Sequence, residues 1–207
     1  MLTNEHRIAV SASIVLIDTV EPADLGRPTP CAGWNLADLL AHMTIQHRGF
    51  AAAARGHGAE LRNWRVETVR DAVRQDPAGT YKQAANDALE AFWAAADDAP
   101  FALPEFGDNA VFPGTIAMGF HFVDYVVHGW DVAASLGVDY QLPADVLGAA
   151  LPLVLAVPDG EVRDLDVVPF DRGIQPIDGA TEFDRILRHL GRRPDFTNCE
   201  ASGTTSR

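Results

Sequence analysis

The sequence predicts a mainly α-helical protein: an antiparallel four-helix bundle followed by a small C-terminal α or α/β appendage. Three observations lead to this prediction. Four segments of the 207 residues carry apolar side chains at helical spacing, one short and two longer connections join them, and the character of the sequence changes after residue 139. We therefore expect the bundle over residues 1–139, the appendage over 140–195 and a flexible tail over 196–207.

The first two helices are predicted from their apolar faces and from one capping motif. Residues 5–20 are long enough for about four turns. Their predicted apolar side consists of Ile8, Val15, Leu16 and Val20. After a loop rich in Gly and Pro, Asn35 is a suitable N-cap with Asp38 three residues later, an acidic variant of the capping box. A second helix is therefore expected from residue 36 to about residue 55.

The other two bundle helices follow longer connections. Residues 56–78 lack sustained periodicity and are read as a surface connection with one short helix. An Ala-rich third helix is expected over 80–99, where the apolar positions recur at helical spacing. A fourth helix is expected over 115–136, with Gly137 as its C-cap.

The C-terminal appendage has a mixed pattern. We expect a helix over residues 142–157, then a turn with a possible short strand within 161–170, and a last helix that ends at Gly191. This mixture is the reason for describing the appendage as α or α/β.

Composition and charge exclude several classes of protein. The formal net charge of -13 argues against nucleic-acid binding, because most of the surface would repel a phosphate backbone. No apolar run is long enough to span a bilayer, and the N-terminus lacks the plan of a signal peptide. Cys31 and Cys199 lie far apart, so a structural disulfide is not expected. These features predict a cytoplasmic protein without a membrane partner.

The fourth helix carries a group of possible metal ligands. His121, Asp124 and His128 are spaced by three and four residues and therefore lie on one stripe of the helix. Asp124 and His128 can point into the bundle together, and His42 on the second helix is the candidate third ligand. Two imidazoles and a carboxylate suit zinc, nickel or ferrous iron with positions left open. The alternative is that each histidine is a core residue with an ordinary hydrogen-bond partner.

Four further residues have two interpretations each. His121 could replace one of the metal ligands or contact one of them without binding the ion, or it could be a histidine on the helix face. Asp131 could orient the His128 imidazole or could pair with an arginine such as Arg48. Trp34 is expected to be a core anchor rather than a substrate platform. Cys31 is expected to belong to a structural loop rather than to act as a nucleophile.

Three segments resemble a known family. "PTPCAGWNLADLLAHM" and "VDYVVHGWDVAASLG" resemble the second-helix and fourth-helix signatures of the metal-binding, mycothiol-dependent maleylpyruvate isomerase type of the DinB-like superfamily. "FDRILRHLGRRPDF" is similar to the closing segment of the same group. The resemblance implies a DinB-like four-helix bundle that binds a divalent cation through His42, Asp124 and His128. Asp124 replaces the glutamate of the isomerase pattern, and its shorter side chain would have to approach the ion more closely or bind it through water.

The resemblance also implies an activity. We expect a divalent metal, zinc foremost with nickel or iron as alternatives, and mycothiol as the cosubstrate of an isomerisation or S-transfer on a small molecule. Two alternatives remain open: a non-catalytic protein that binds or senses a metal, and a metal-dependent hydrolase or biosynthetic enzyme on the same fold. A homodimer is compatible with such a bundle.

Overall fold

The mainly α-helical fold is confirmed by the computed structural model, which describes residues 2–164 and 170–197. Seven α-helices lie in these ranges: α1 (Asn4–Ile17), α2 (Leu36–Ala54), α3 (Arg70–Gln75), α4 (Pro77–Ala94), α5 (Gly114–Leu136), α6 (Ala144–Leu155) and α7 (Glu182–His189). The strands β1 (Pro100–Ala102) and β2 (Val111–Pro113) form one antiparallel hairpin. None of the helices in the described ranges is both long and apolar enough to cross a membrane.

Helices α1, α2, α4 and α5 form the bundle. Helix α2 packs on α4 and α5, and α1 packs on the same two helices, so the four surround a common core. The largest fully buried side chains include Leu39, Leu40, Met43, Tyr81 and Tyr125. Burial of these apolar surfaces provides the main driving force for the bundle. The two tyrosine hydroxyls have partners there: Tyr81 contacts the Ser13 hydroxyl, and Tyr125 donates to the Met43 carbonyl.

Local capping sets the ends of α2 and α5 as predicted. The Asn35 side chain accepts a hydrogen bond from the Asp38 backbone N–H, and the Asp38 carboxylate accepts one from the Asn35 N–H, which completes the capping box. Helix α5 ends at Gly137, whose φ of 72° lies in the left-handed region that glycine adopts without a steric penalty.

Two predictions about the bundle helices are wrong. The third bundle helix, α4, begins at Pro77 rather than residue 80, because the Asp76 side chain caps the Gly79 N–H; it ends at Ala94, and the β-hairpin soon follows. On α1, Val15 is 69% exposed rather than on the core side. The residues of α1 that face the core are His6, Ala9, Val10, Ser13 and Ile17.

The C-terminal segment packs on the bundle. Helices α6 and α7 contact each other, and α6 also contacts α1 and α5. Val126 of α5, Val146 of α6 and Ile186 of α7 share one buried apolar cluster. The strand expected within 161–170 falls partly on residues 165–169, which lie outside the described residues, while Glu161–Asp164 form a 3₁₀ turn. Residues 198–207 of the predicted tail also lie outside them, and the boundary at residue 139 stays a prediction.

Candidate metal centre

Helices α2 and α5 bring His42 and His128 together. Their ring centroids are 5.3 Å apart and the planes are nearly perpendicular, with an interplanar angle of 79°. Two imidazoles that bind one tetrahedral ion at about 2.0–2.1 Å have ring centres roughly 5 Å apart. The observed separation therefore fits two histidines that share an ion. Burial lowers the pKa of His42 to about 3, so its imidazole is neutral, the form that binds a metal.

Asp124 lies one turn before His128 on α5 and is partly buried. Among the described residues, no side chain forms a hydrogen bond or an ion pair with its carboxylate. Burial raises the pKa of Asp124, although the positive charges of His128 and Arg192 act in the opposite direction. A carboxylate in such surroundings costs free energy that a bound cation would offset.

Asp131 fixes the orientation of the His128 ring. Its Oδ2 atom is 2.9 Å from His128 Nδ1, and the side chain is fully buried. Because this contact uses Nδ1, the opposite ring nitrogen, Nε2, is the one that could bind an ion; a carboxylate behind a ligating histidine is a common arrangement. Burial alone would lower the pKa of His128, but the hydrogen bonds to Asp131 and Cys31 and their charges raise it to about 10.

Arg192 reaches Asp131 from the C-terminal segment. The guanidinium Nε and Nη2 atoms are each 3.1 Å from a carboxylate oxygen of Asp131, and the side chain is 5% exposed. Burial opposes ionisation of Asp131, yet the charges and hydrogen bonds of Arg192 and His128 lower its pKa to about 2. Arg192, and not Arg48, is therefore the arginine partner of Asp131.

Cys31 belongs to the same cluster, which the sequence interpretation did not anticipate. Its Sγ atom is 3.3 Å from Asp131 Oδ2 and 3.3 Å from Arg192 Nη2. Potential metal ligands are the side chains of His, Cys, Asp and Glu. Among the described residues, one group of three of them has all its ligand atoms within 4.8 Å of one another: Cys31, His128 and Asp131. His42 and Asp124 lie outside this group. No periodic pattern marks Cys31 or Arg192, since one is in a loop and the other follows the last helix.

His121 lies in a different cluster. Its Nδ1 is 2.8 Å from His6 Nε2, and its Nε2 is 3.0 Å from His47 Nδ1, in the fully buried centre of the bundle. Both ring nitrogens are thus engaged by other histidines, which leaves none for an ion at His128. Burial lowers the pKa of all three histidines, so the chain of imidazoles is neutral.

Two residues border the centre on its outer side. The Trp34 ring lies 4.9 Å from the His42 ring and is 38% exposed, so the prediction of a core anchor is wrong: the loop before α2 leaves it at the surface. Glu105, from the turn between β1 and β2, accepts a hydrogen bond of 2.5 Å from Gln46 Nε2. Burial raises the pKa of Glu105, and the Asp124 charge adds to the effect.

Comparison with known proteins identifies the family. A family model described as the mycothiol maleylpyruvate isomerase N-terminal domain matches residues 6–133. The chain belongs to this family. The residues that the mycothiol maleylpyruvate isomerase family model matches include His42, Asp124 and His128 but end well before Arg192.

Relatives of this family member include proteins of similar size. Two uncharacterized proteins of Mycobacterium tuberculosis, Rv0738 of strain H37Rv and MT0763 of strain CDC 1551, are each 30% identical over 155 residues, 72% of this chain and 77% of theirs.

Solved structures of the same family share the fold. The crystal structure of the mycothiol-dependent maleylpyruvate isomerase is 15% identical, with a TM-score of 0.54 over 73% of this chain and 65% of that one. A histidine-to-alanine mutant of that enzyme gives a TM-score of 0.55 at 16% identity with the same coverage. The chain thus spans 65% of the length of the solved isomerase, and at this identity the likeness shows the fold alone.

Proposed function

We propose that the protein is a divalent-metal-dependent enzyme that uses mycothiol as cosubstrate in an isomerisation or S-transfer on a small molecule. The observation that carries this proposal is the pair of imidazoles 5.3 Å apart on the same side of the bundle as Asp124, whose carboxylate pairs with no side chain in the described ranges. Family membership and the printed name of the solved isomerases support the choice of thiol and of reaction class.

The chain's residues have distinct tasks in this proposal. His42, Asp124 and the Nε2 atom of His128 would hold the ion, with zinc the first candidate and nickel or iron the alternatives. Asp131 would hold the Nδ1 proton of His128, and an ion at Nε2 would displace the proton that the raised pKa of about 10 places there in the metal-free protein. When bound, such an ion favours the thiolate form of a thiol at neutral pH. The thiol would then add to an activated double bond or displace a leaving group.

A second candidate is a protein that binds an ion without catalysis, held by Cys31, His128 and Asp131. The close grouping of their donor atoms favours it. However, Arg192 already contacts both Asp131 and Cys31, so a dication there would lie next to a buried guanidinium. Charge repulsion therefore makes this set the weaker of the two.

Metal content separates the two candidates. The protein, purified without chelator or nickel resin, should contain about one equivalent of metal by inductively coupled plasma mass spectrometry. We expect His42→Ala and His128→Ala to lose it, and Cys31→Ser and the exposed-histidine control His57→Ala to keep it. EDTA should lower the Tm of the parent protein but not of the two metal-free variants. Loss of metal in Cys31→Ser with retention in His42→Ala would favour the second candidate.

Thiol-dependent turnover tests the enzymatic part. The metal-loaded protein is assayed with mycothiol and a panel of activated alkenes and alkyl halides. We expect turnover that disappears in His42→Ala and His128→Ala and persists in His57→Ala. Turnover that is unchanged in the two metal-site variants would overturn the proposal.

A further inference from the structure

An exposed apolar surface lies around the β-hairpin. Three phenylalanine rings form a closed contact: Phe106 to Phe120 at 4.9 Å, Phe106 to Phe112 at 5.3 Å and Phe112 to Phe120 at 5.2 Å between centroids. Two neighbouring aliphatic side chains, Val111 and Ile116, are 56% and 49% exposed, and Phe106 itself is 52% exposed. We call these five residues the hairpin patch. Clustered aromatic surface of this kind usually marks a binding site.

The hairpin patch is continuous with the metal centre. Phe120 is one turn before Asp124 on α5, so the two lie about 6 Å apart along the helix axis. Phe106 follows Glu105, whose carboxylate is bonded to Gln46, and Gln46 is one turn after His42 on α2. The residues that follow His42 on α2 and those that precede Asp124 on α5 therefore both end at the three phenylalanine rings.

The charges at this side of the centre restrict what can bind. Glu105 and Asp124 both place carboxylates here, and the Asp124 charge is near enough to raise the pKa of Glu105. The two cations that act on Asp124, His128 and Arg192, are both buried and both contact Asp131. A second carboxylate on a substrate would meet negative charge on this path, whereas an uncharged apolar group would meet aromatic rings.

We propose that the hairpin patch binds an uncharged aromatic arm of the substrate while the polar, reacting end lies at the metal centre. This inference rests on the proposed function and adds the class of substrate to it. The arm packs against Phe106 and Phe120, so these side chains determine specificity without contacting the reacting atoms.

Three hydroxamates that differ only in their arm test the inference on the zinc-loaded protein by isothermal titration calorimetry. Each has the same metal-chelating head: acetohydroxamate has a methyl group, 3-phenylpropionohydroxamate an aromatic arm, and succinic monohydroxamate a carboxylate arm. We expect the aromatic compound to bind about tenfold more tightly than the methyl compound. The carboxylate compound should bind more weakly than the methyl compound.

Variants locate the gain. Phe106→Ala and Phe120→Ala should remove the aromatic advantage and leave acetohydroxamate affinity unchanged, while Trp93→Ala, which removes another exposed aromatic side chain, should change neither. Because Phe106 is mostly exposed, its variant should fold normally, and its thermal melt verifies this. Two results would show that the hairpin patch does not bind the arm. In the first, acetohydroxamate binds and the phenyl arm gives no increase in affinity; in the second, the increase in affinity persists in Phe106→Ala. If no hydroxamate binds, the metal centre itself fails and this inference fails with it.

Discussion

Asp124 and Asp131 are two buried or partly buried carboxylates two turns apart on α5, and their surroundings are opposite. Asp131 has Arg192 and His128 as partners, while no described side chain pairs with Asp124. Replacing either aspartate by asparagine removes one negative charge and hardly changes the shape of the side chain. Because the surroundings are opposite, the two replacements should change the stability of the metal-free protein in opposite directions.

We predict that Asp124→Asn stabilises the EDTA-treated protein by about 1 kcal/mol, because it removes a charge from a low-dielectric site where no described side chain forms a hydrogen bond with it. Asp131→Asn should destabilise it by about 3 kcal/mol, since the guanidinium of Arg192 would remain buried without its counter-ion. Urea denaturation at pH 7.5 measures both, and metal titration should show a loss of affinity in Asp124→Asn. Destabilisation of the apo protein by Asp124→Asn would mean that this carboxylate has a favourable partner.

Only some residues of the candidate metal centre could be grouped from the sequence. His42, Asp124 and His128 could be grouped from helical spacing because two neighbouring helices carry them. Arg192 and Cys31 could not be grouped with them, because their positions depend on how a loop and the C-terminal segment pack after the helices have formed. His121 shares the stripe of Asp124 by spacing alone, and the packing of His6 and His47 against it decides its environment.

At the level of elements, two helical glycines differ in the space that a Cβ atom would find: Gly49 of α2 and Gly148 of α6. A Cβ atom at Gly49 of α2 would lie 2.4 Å from the nearest Trp64 ring atom, so the indole packs where a side chain would be. A Cβ at Gly148 of α6 would meet nothing within 4 Å. These two positions form a matched pair for the same substitution.

Gly49→Ala should lower the free energy of unfolding by about 2 kcal/mol, because the Trp64 ring must move from a packed position. Gly148→Ala should raise it by about 0.5–1 kcal/mol, because alanine restricts the unfolded chain without meeting an obstacle. Urea denaturation curves give both values, and a change in tryptophan fluorescence is expected for Gly49→Ala only. Equal effects of the two substitutions would contradict the close contact with Trp64.

Elements were predictable where a local interaction sets their ends. Asn35 and Gly137 mark the start of α2 and the end of α5 through contacts within a few residues. Asp76 before Pro77 is an equally local signal for the start of α4. The predicted start at residue 80 was too late because the prediction relied on the Ala-rich pattern, which begins after this cap. The β-hairpin was not predicted, because strands of three residues with proline at their ends carry too short a pattern.

For the whole molecule, the three core histidines link stability to pH. His6, His47 and His121 are neutral in the folded protein because burial lowers each pKa, to about 3 for His6. The unfolded chain takes up protons near pH 6.5. Their contribution to stability is therefore complete above pH 6.5 and falls as the pH decreases towards 3. His42 contributes in the same direction.

We predict that the free energy of unfolding falls between pH 6.5 and pH 5, with His6 alone responsible for about 2 kcal/mol at pH 5. His128 has the opposite dependence, but its contribution is complete below pH 6.5 and is lost only as the pH rises towards 10. Urea denaturation across this range, repeated with His6→Gln, measures the effect. The variant should lose about 2 kcal/mol less than the parent, and parallel curves would refute a titrating role for His6.

The Arg192 contact with Asp131 joins residues 61 positions apart in the chain. During synthesis, all four bundle helices can leave the ribosome while this guanidinium is still in the exit tunnel. A nascent bundle at that stage would contain the buried Asp131 carboxylate with only His128 to neutralise it. The contact between Arg192 and Asp131 therefore forms late in biogenesis. A chain that ended before residue 192 would have the helices of the family without the buried counter-charge of Asp131.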